Sequence, residues 1–270
     1  MQKRGVDRIF FPGTSLSEIT KYITERYAGS PHINRNRAPS DRALARLLTQ
    51  IESGATSSAW HGRLVHAPLP KSASVIGVTG PGGAGKTTLI DEFVRRFLLA
   101  QPRSRIAILS HDPSIVGAGA LLGDRATMIY SQDDRVFMRS MATRGRAGGL
   151  SPSSERCLRA IQSDFDLVFI ETVGTGQEAV PFRKGLVDQT VLVMSPDYGA
   201  RLQLQKIAML DIADVIVVNK SDLPGAATAS SEIEHRLSSN PRNQRVVATV
   251  AKRHDDPGVD RLFQLLQRPE

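Results

Sequence analysis

The stretch VIGVTGPGGAGKTTLIDEF, residues 75–93, decides the architecture. An apolar run from Val75 to Val78 leads into Gly80-Pro81-Gly82-Gly83-Ala84-Gly85-Lys86-Thr87, which fits G-x-x-x-x-G-K-[ST]. A helical pattern then starts at Lys86. Glycines between a strand and a helix let successive backbone N–H groups point into one hollow, where they cradle phosphate oxygens. Lys86 brings a compact cation to the β- and γ-phosphates. The Thr87 hydroxyl can meet magnesium, Thr88 completes the nucleotide-facing set, and the helix adds its positive end. A glycine-rich turn with a chance lysine would lack the flanking strand and helix.

Working outward, apolar runs at 74–80, 105–112, 167–172, 189–195, 214–219 and 245–251 alternate with helical patterns. Continuous Val/Ile/Leu runs mean strands buried on both faces, as in a parallel sheet covered by helices. The expected fold is therefore α/β: a P-loop nucleoside triphosphatase with a mostly parallel twisted sheet flanked by helices and an N-terminal helical extension. Functional groups should lie at the carboxyl ends of the strands. Residues 1–70 read as the extension and 71–270 as the P-loop domain. Within the extension, residues 6–27 predict a short strand, a Pro-Gly turn and an amphipathic helix. Residues 40–54 predict a second helix with Ser40 as N-cap and Gly54 just past its end.

The candidate chemistry sits on successive strand ends. DVIVVNKSDL, residues 214–223, places Asn219, Lys220 and Asp222 after a buried run, and N-K-x-D is a guanine-reading pattern. The Asp222 carboxylate can accept from guanine N1–H and the 2-amino group, whereas adenine offers no such donor pair. Sites of that kind discriminate by about 10⁴ or more. Asn219 would tie this loop to the phosphate loop, and the Lys220 stem would cover the base. Ala251 and Lys252, after the last run, are candidates for the other side of the base. Asp112, Asp124 and Glu171 compete as magnesium ligands beside Thr87. In FIETVGTGQEAV, residues 169–180, Glu171 is followed by glycines, so Gly174 can sense the γ-phosphate and Gln177 is a partner-dependent candidate. Arg144 and Arg146 lie in a basic, glycine-containing loop at 139–151, where an arginine could stabilise a transferring phosphoryl group or simply face solvent.

The totals fit this reading. The 270 residues are 40% hydrophobic and 23% charged, with one cysteine, Cys157, in an apparent helix. No apolar run approaches the roughly 18 residues of a membrane span, and the N-terminus lacks a secretory pattern. A cytoplasmic protein is expected. The net charge of +8 raises the question of nucleic acid. The basic residues are spread along the chain without an aromatic-spaced stripe, so a phosphate-rich ligand or an acidic partner explains the charge better.

These motifs together resemble the MeaB/ArgK-type GTPases, the G-protein chaperones of cobalamin-dependent acyl-CoA mutases. The likeness runs over roughly residues 40–265, through SDRALARLLTQIESG, GVTGPGGAGKTTLIDEFV, DPSIVGAGALLGDRATM, TRGRAGGLS, FIETVGTGQ, LQLQKIAMLDIADVIVVNKSD and DDPGVDRLF. MSPDYGARLQLQKIAMLDIAD and DDPGVDRL look most like the G domain of fused isobutyryl-CoA mutases. The resemblance implies binding of GTP/GDP with Mg2+, hydrolysis of GTP, and gating of adenosylcobalamin loading and repair in mutase subunits. It implies three nucleotide-responsive loops: Asp112 to Asp124, Gly174 to Gln177, and about Tyr198 to Lys206, where Gln203 and Lys206 match partner-responsive residues. The candidate catalytic set is thus Lys86, Asp124, Glu171, Gln177 and Lys206. GVDRIFFPGTSLSEITKYI resembles the last strand and helix of a cobalamin-binding domain, without its D-x-H-x-x-G motif, so no cobalamin binding by this chain alone is expected. EAVPFRKG after Gln177 departs from the polar segment usual there, which puts that loop's partner contacts in question. The sequence ends with RLFQLLQRPE, so the dimerisation arm of stand-alone members is not expected and homodimerisation stays open. The alternatives are a GTP-dependent nickel metallochaperone, which would call for Cys or His clusters, and a small-molecule kinase, against which Asp222 argues.

Overall fold

The computed structural model describes residues 8–27, 40–54, 73–114, 127–145, 148–174, 181–182, 184–198, 208–240 and 242–267. The chain divides into two compact units, Met1–Arg46 and Leu47–Glu270. The expected boundary near residue 70 falls within 55–72, outside the described residues.

In the first unit, α1 (Leu16–Tyr27) follows the turn at Pro12-Gly13, with the Glu18 N–H donating to Ser15 Oγ at 3.2 Å. The short strand expected before it is not formed across residues 8–11. Instead Phe10 packs edge-on against Tyr22 at 5.7 Å, and the Arg8 guanidinium lies over the Tyr22 ring at 5.1 Å. An extended segment needs a paired neighbour to count as a strand, and here the side chains fold back on α1. α2 (Asp41–Ser53), whose residues from Leu47 on belong to the second unit, starts as expected, with the Ala43 N–H donating to Ser40 Oγ at 3.3 Å. It stops at Gly54, whose φ is 73°.

The second unit is built on β1 (Ser74–Thr79), α3 (Lys86–Ala100), β2 (Ile106–Asp112), β3 (Val136–Ala142), α4 (Ser154–Ile161), β4 (Leu167–Glu171), β5 (Gln189–Met194), β6 (Val215–Val218), α5 (Ala226–Leu237), β7 (Arg245–Ala248) and α6 (Pro257–Gln267). The sheet runs β3-β2-β4-β1-β5-β6-β7. Every neighbouring pair is parallel. β2, β4 and β6 are buried along their whole length, as unbroken apolar runs require.

One strand departs from the sequence reading. β3 is VFMRSMA, whose central Arg139 and Ser140 break the apolar run. It is the edge strand beside β2, where such residues can reach out of the sheet. Arg139 Nε donates to Glu52 Oε2 of α2 at 3.1 Å. The first four residues of the expected basic loop at 139–151 are therefore strand.

Aspartates seal the amino ends of the ladder. Asp166, Asp188 and Asp214 each stand just before a strand, and each carboxylate accepts an N–H at or just before the start of a neighbouring strand: Arg105 at 2.8 Å, Val75 at 2.8 Å and Thr190 at 2.7 Å. These N–H groups would otherwise lack a strand partner. Phe93 of α3 packs on Phe169 of β4 and Phe263 of α6, with centroids 6.0 and 6.2 Å apart. The other face joins Leu192, Met194 and Ile216 to Ile233 of α5. Cys157 on α4 is fully buried, and burial pushes its thiol up to about 12, as suits a packed, unreactive side chain. Two helical layers thus hold seven strand ends at one edge, with β1 in the middle.

Candidate nucleotide-binding site

The turn after β1 leaves the centre of the sheet and becomes α3. Gly85 enters the helix with φ 91°, and a side chain there would collide with the Asn219 amide. Glycine is therefore required on both counts. Lys86 is buried, and its Nζ donates to the carbonyls of Gly80 and Pro81 at 3.0 and 3.1 Å. The ammonium is thus folded back over the loop itself.

Glu171 closes β4 beside this loop. Its Oε1 accepts from the Thr87 hydroxyl at 2.7 Å, and its Oε2 accepts from the Ser110 hydroxyl at 3.0 Å. Ser110 stands opposite Glu171 in the β2–β4 register, and Asp112 ends β2 two residues further on, also buried. A hydroxyl and two carboxylates at neighbouring strand ends form a hard-oxygen set that suits Mg2+. Among the described residues, no three His, Cys, Asp or Glu side chains form a group able to hold a metal by themselves. A magnesium ion here would therefore complete its shell with phosphate oxygens and water.

Beyond Glu171 the chain touches the phosphate loop directly. Gly82 N–H donates to Gly174 O at 2.9 Å. A Cβ on Gly174 would lie 2.5 Å from both Gly82 N and Gly82 Cα, so only glycine allows this approach. Thr79 and Thr172 share a buried hydroxyl hydrogen bond of 2.9 Å just behind.

The guanine-type loop follows β6. Asn219 Nδ2 donates to Ala84 O at 2.9 Å, while Asn219 Oδ1 accepts from Thr249 Oγ1 and Ala251 N, both at 3.0 Å. One buried amide thereby joins the phosphate loop, the β6 loop and the β7 loop. Lys220 adopts φ 58°, uncommon for a non-glycine residue, and so turns Asp222 back toward the β7 loop. The Lys252 ammonium lies 2.5 Å from Asp222 Oδ2, with Arg253 at 3.9 Å. The Lys252 hydrogen bond holds the Asp222 carboxyl below the usual range, so it stays an ionised acceptor.

The structure therefore gathers Gly80 to Thr87, Glu171, Gly174, Asn219, Lys220, Asp222, Ala251 and Lys252 along the carboxyl edge of the sheet, with Asp112 at the end of β2. Thr88 lies in the first turn of α3. Asp124, Gln177, Gln203, Lys206 and Arg146 lie outside the described residues. Arg144 is described, with φ 52°, and its N–H donates to Ser114 Oγ at 2.8 Å. Sequence reasoning passed over Ser110, His111, Ser154 and Thr249. Three of these are polar residues at or just past the carboxyl ends of apolar runs, and that interruption was the available signal.

This fold and constellation define a P-loop nucleotide-binding protein of the guanine-reading type. The chain belongs to the family described as "Methylmalonyl Co-A mutase-associated GTPase MeaB", whose profile matches residues 44–268. It is 37% identical over 292 residues to the fused isobutyryl-CoA mutase of Cupriavidus metallidurans, covering 98% of this chain and 26% of that protein. It is 38% identical over 208 residues to a putative GTPase of Pyrococcus abyssi, covering 76% of this chain and 63% of the relative. The chain thus spans about a quarter of the length of the fused mutase. Among solved structures, the hydrogenase maturation factor HypB of Archaeoglobus fulgidus superposes with a TM-score of 0.56 at 18% identity, covering 84% of this chain and 97% of that one. That likeness shows the fold alone. Among the described residues no helix is long and apolar enough to cross a membrane.

Proposed function

We propose that this chain binds GTP with magnesium, hydrolyses it slowly to GDP and phosphate, and uses that cycle to gate adenosylcobalamin loading and repair in a cobalamin-dependent acyl-CoA mutase. The observation that carries the guanine reading is the Asn219 amide, which locks the phosphate, β6 and β7 loops into one frame around the Asp222 carboxylate. The mutase reading is supported by the family and by the relatives' fusion to isobutyryl-CoA mutase.

In this account Lys86 leaves the Gly80 and Pro81 carbonyls when phosphates enter, and turns to the β- and γ-oxygens. Thr87, Asp112 and Glu171 would hold magnesium, directly or through water, and Asp124 is a further candidate ligand. That ion would neutralise charge on the phosphate oxygens. Gly174 gives up its carbonyl contact with Gly82 and presents its N–H to the γ-phosphate, so the loop after Glu171 reports whether that group is present. Hydrolysis on its own is slow because among the described residues no arginine is placed at the phosphates, so a partner would complete the site. The protein is expected in the cytoplasm, where its nucleotide is abundant.

Turnover is tested with purified protein and GTP. Replacing Lys86 by Ala should lower GTP hydrolysis at least about 10²-fold, the scale of losing one charged transition-state contact. A variant that hydrolyses GTP at the parent rate would remove the phosphate-loop assignment.

A further inference from the structure

The end of β2 carries a buried imidazole that the nucleotide chemistry does not use. His111 is 2% exposed. Its Nδ1 lies 2.7 Å from the Glu171 carbonyl oxygen, and its Nε2 lies 2.7 Å from Ser154 Oγ. A carbonyl can only accept, so Nδ1 carries the proton at that contact. Ser154 is the first residue of α4, and its single hydroxyl proton goes either to Nε2 or to the Ser151 carbonyl, 2.8 Å away. The ring therefore spans from the last residue of β4 to the first turn of α4.

The position matters because the ladder stops there. β2 and β4 are in register up to Ser110 and Glu171 and no further. Beyond it Thr172 N–H donates to Val78 O, and Val173 N–H donates to Gly149 O at 3.1 Å, in the loop leading to α4. The chain next reaches Gly174, which touches the phosphate loop. Glu171 is thus held twice: its carboxylate by Thr87 and Ser110, its carbonyl by His111.

We propose that His111 is a positioning residue that anchors the Glu171 backbone to α4 and so sets how strongly Mg2+ controls guanine-nucleotide release. This rests on the guanine-nucleotide reading of the site. Phenylalanine at 111 keeps the bulk and loses both polar contacts. Asparagine keeps an N–H donor near the Nδ1 position, whereas glutamine carries its amide toward the Nε2 position.

The test measures release of a fluorescent GDP analogue from the parent protein and from H111F, H111N and H111Q, each with and without Mg2+, with thermal unfolding followed in parallel. In the parent, Mg2+ should slow release, and a parent whose release ignores Mg2+ overturns the proposal. In H111F that slowing should shrink about tenfold, the scale of one lost buried hydrogen bond, with metal-free release changed less than about twofold. H111N should recover most of the Mg2+ effect and H111Q should not. An H111F whose Mg2+ effect equals the parent's overturns the proposal, as does an H111N no better than H111Q. If H111F does not fold, Ser154→Ala decides: a partial loss of the Mg2+ effect supports the proposal, and an unchanged one overturns it. A parent that binds no guanine nucleotide overturns the site reading and this inference with it. A parent that binds, with variants behaving alike, overturns only the role of His111.

Discussion

In the proposed reading, Asp222 is the residue on which nucleotide choice turns. Asp222 sits between the positive-φ turn at Lys220 and the ammonium of Lys252, which keeps it ionised and half-occupied by an internal cation. A guanine ring would offer the carboxylate two N–H donors in place of the Lys252 ammonium, whereas adenine offers no such pair. Asp222→Ala should therefore weaken GTP and GDP binding about 10³-fold, the loss of two charge-assisted hydrogen bonds, and leave weak ATP binding unchanged. Equilibrium competition against a fluorescent guanine nucleotide checks this, and a loss below about tenfold would move the base elsewhere. Much of this residue-scale chemistry was legible in sequence because the phosphate and N-K-x-D patterns are contiguous. Their residue types stand next to one another in the chain, so each motif shows even where a member acts at long range, as Asn219 does on Ala84. His111, Ser154 and Thr249 were not legible, because each acts on a partner at least 30 positions distant: Glu171 and Ser154 for the imidazole, Asn219 for Thr249.

At the scale of elements, the site is only as well placed as the strands that end in it. Asp214 shows how the sheet secures its other end: its carboxylate takes the Thr190 N–H at 2.7 Å, just as β5 and β6 begin. Removing it leaves a largely buried donor without an acceptor, which costs about 1–3 kcal/mol. Asp214→Ala should lower the denaturation midpoint accordingly without altering guanine-nucleotide selectivity, measured by chemical unfolding and nucleotide competition on the same sample. A stability equal to the parent's would mean that the ladder end is satisfied in another way. The strands themselves show what pattern reading can reach. The buried apolar runs announce β1, β2, β4, β5 and β6 in the sequence. β3 was missed because Arg139 and Ser140 interrupt its run, and the reason Arg139 is tolerated is Glu52, 87 residues away on α2. The strand expected before α1 fails for the opposite reason, since the apolar residues Ile9, Phe10 and Phe11 are local while a pairing strand is not. The aromatic packing of Phe10 on Tyr22 takes its place.

At the scale of the whole molecule, one amide and one carboxylate connect the parts that must act together. Asn219 fastens the base side to the phosphate loop, and Glu171 fastens the phosphate loop to the β2 end and, through His111, to α4. A γ-phosphate arriving between Lys86 and Gly174 would therefore disturb backbone contacts that continue into the loops expected to respond to nucleotide. Such a device is useful only if a partner binds its two states with different affinity, because a ligand biases a switch solely through that difference. The relatives' fusion to isobutyryl-CoA mutase indicates which partner to try. The direct measurement is a titration of this chain against cobalamin-dependent acyl-CoA mutase subunits, once loaded with GDP and once with a non-hydrolysable GTP analogue. The account predicts dissociation constants that differ by about tenfold or more between the two states, the usual size of an allosteric coupling. Equal affinity in both states would contradict it.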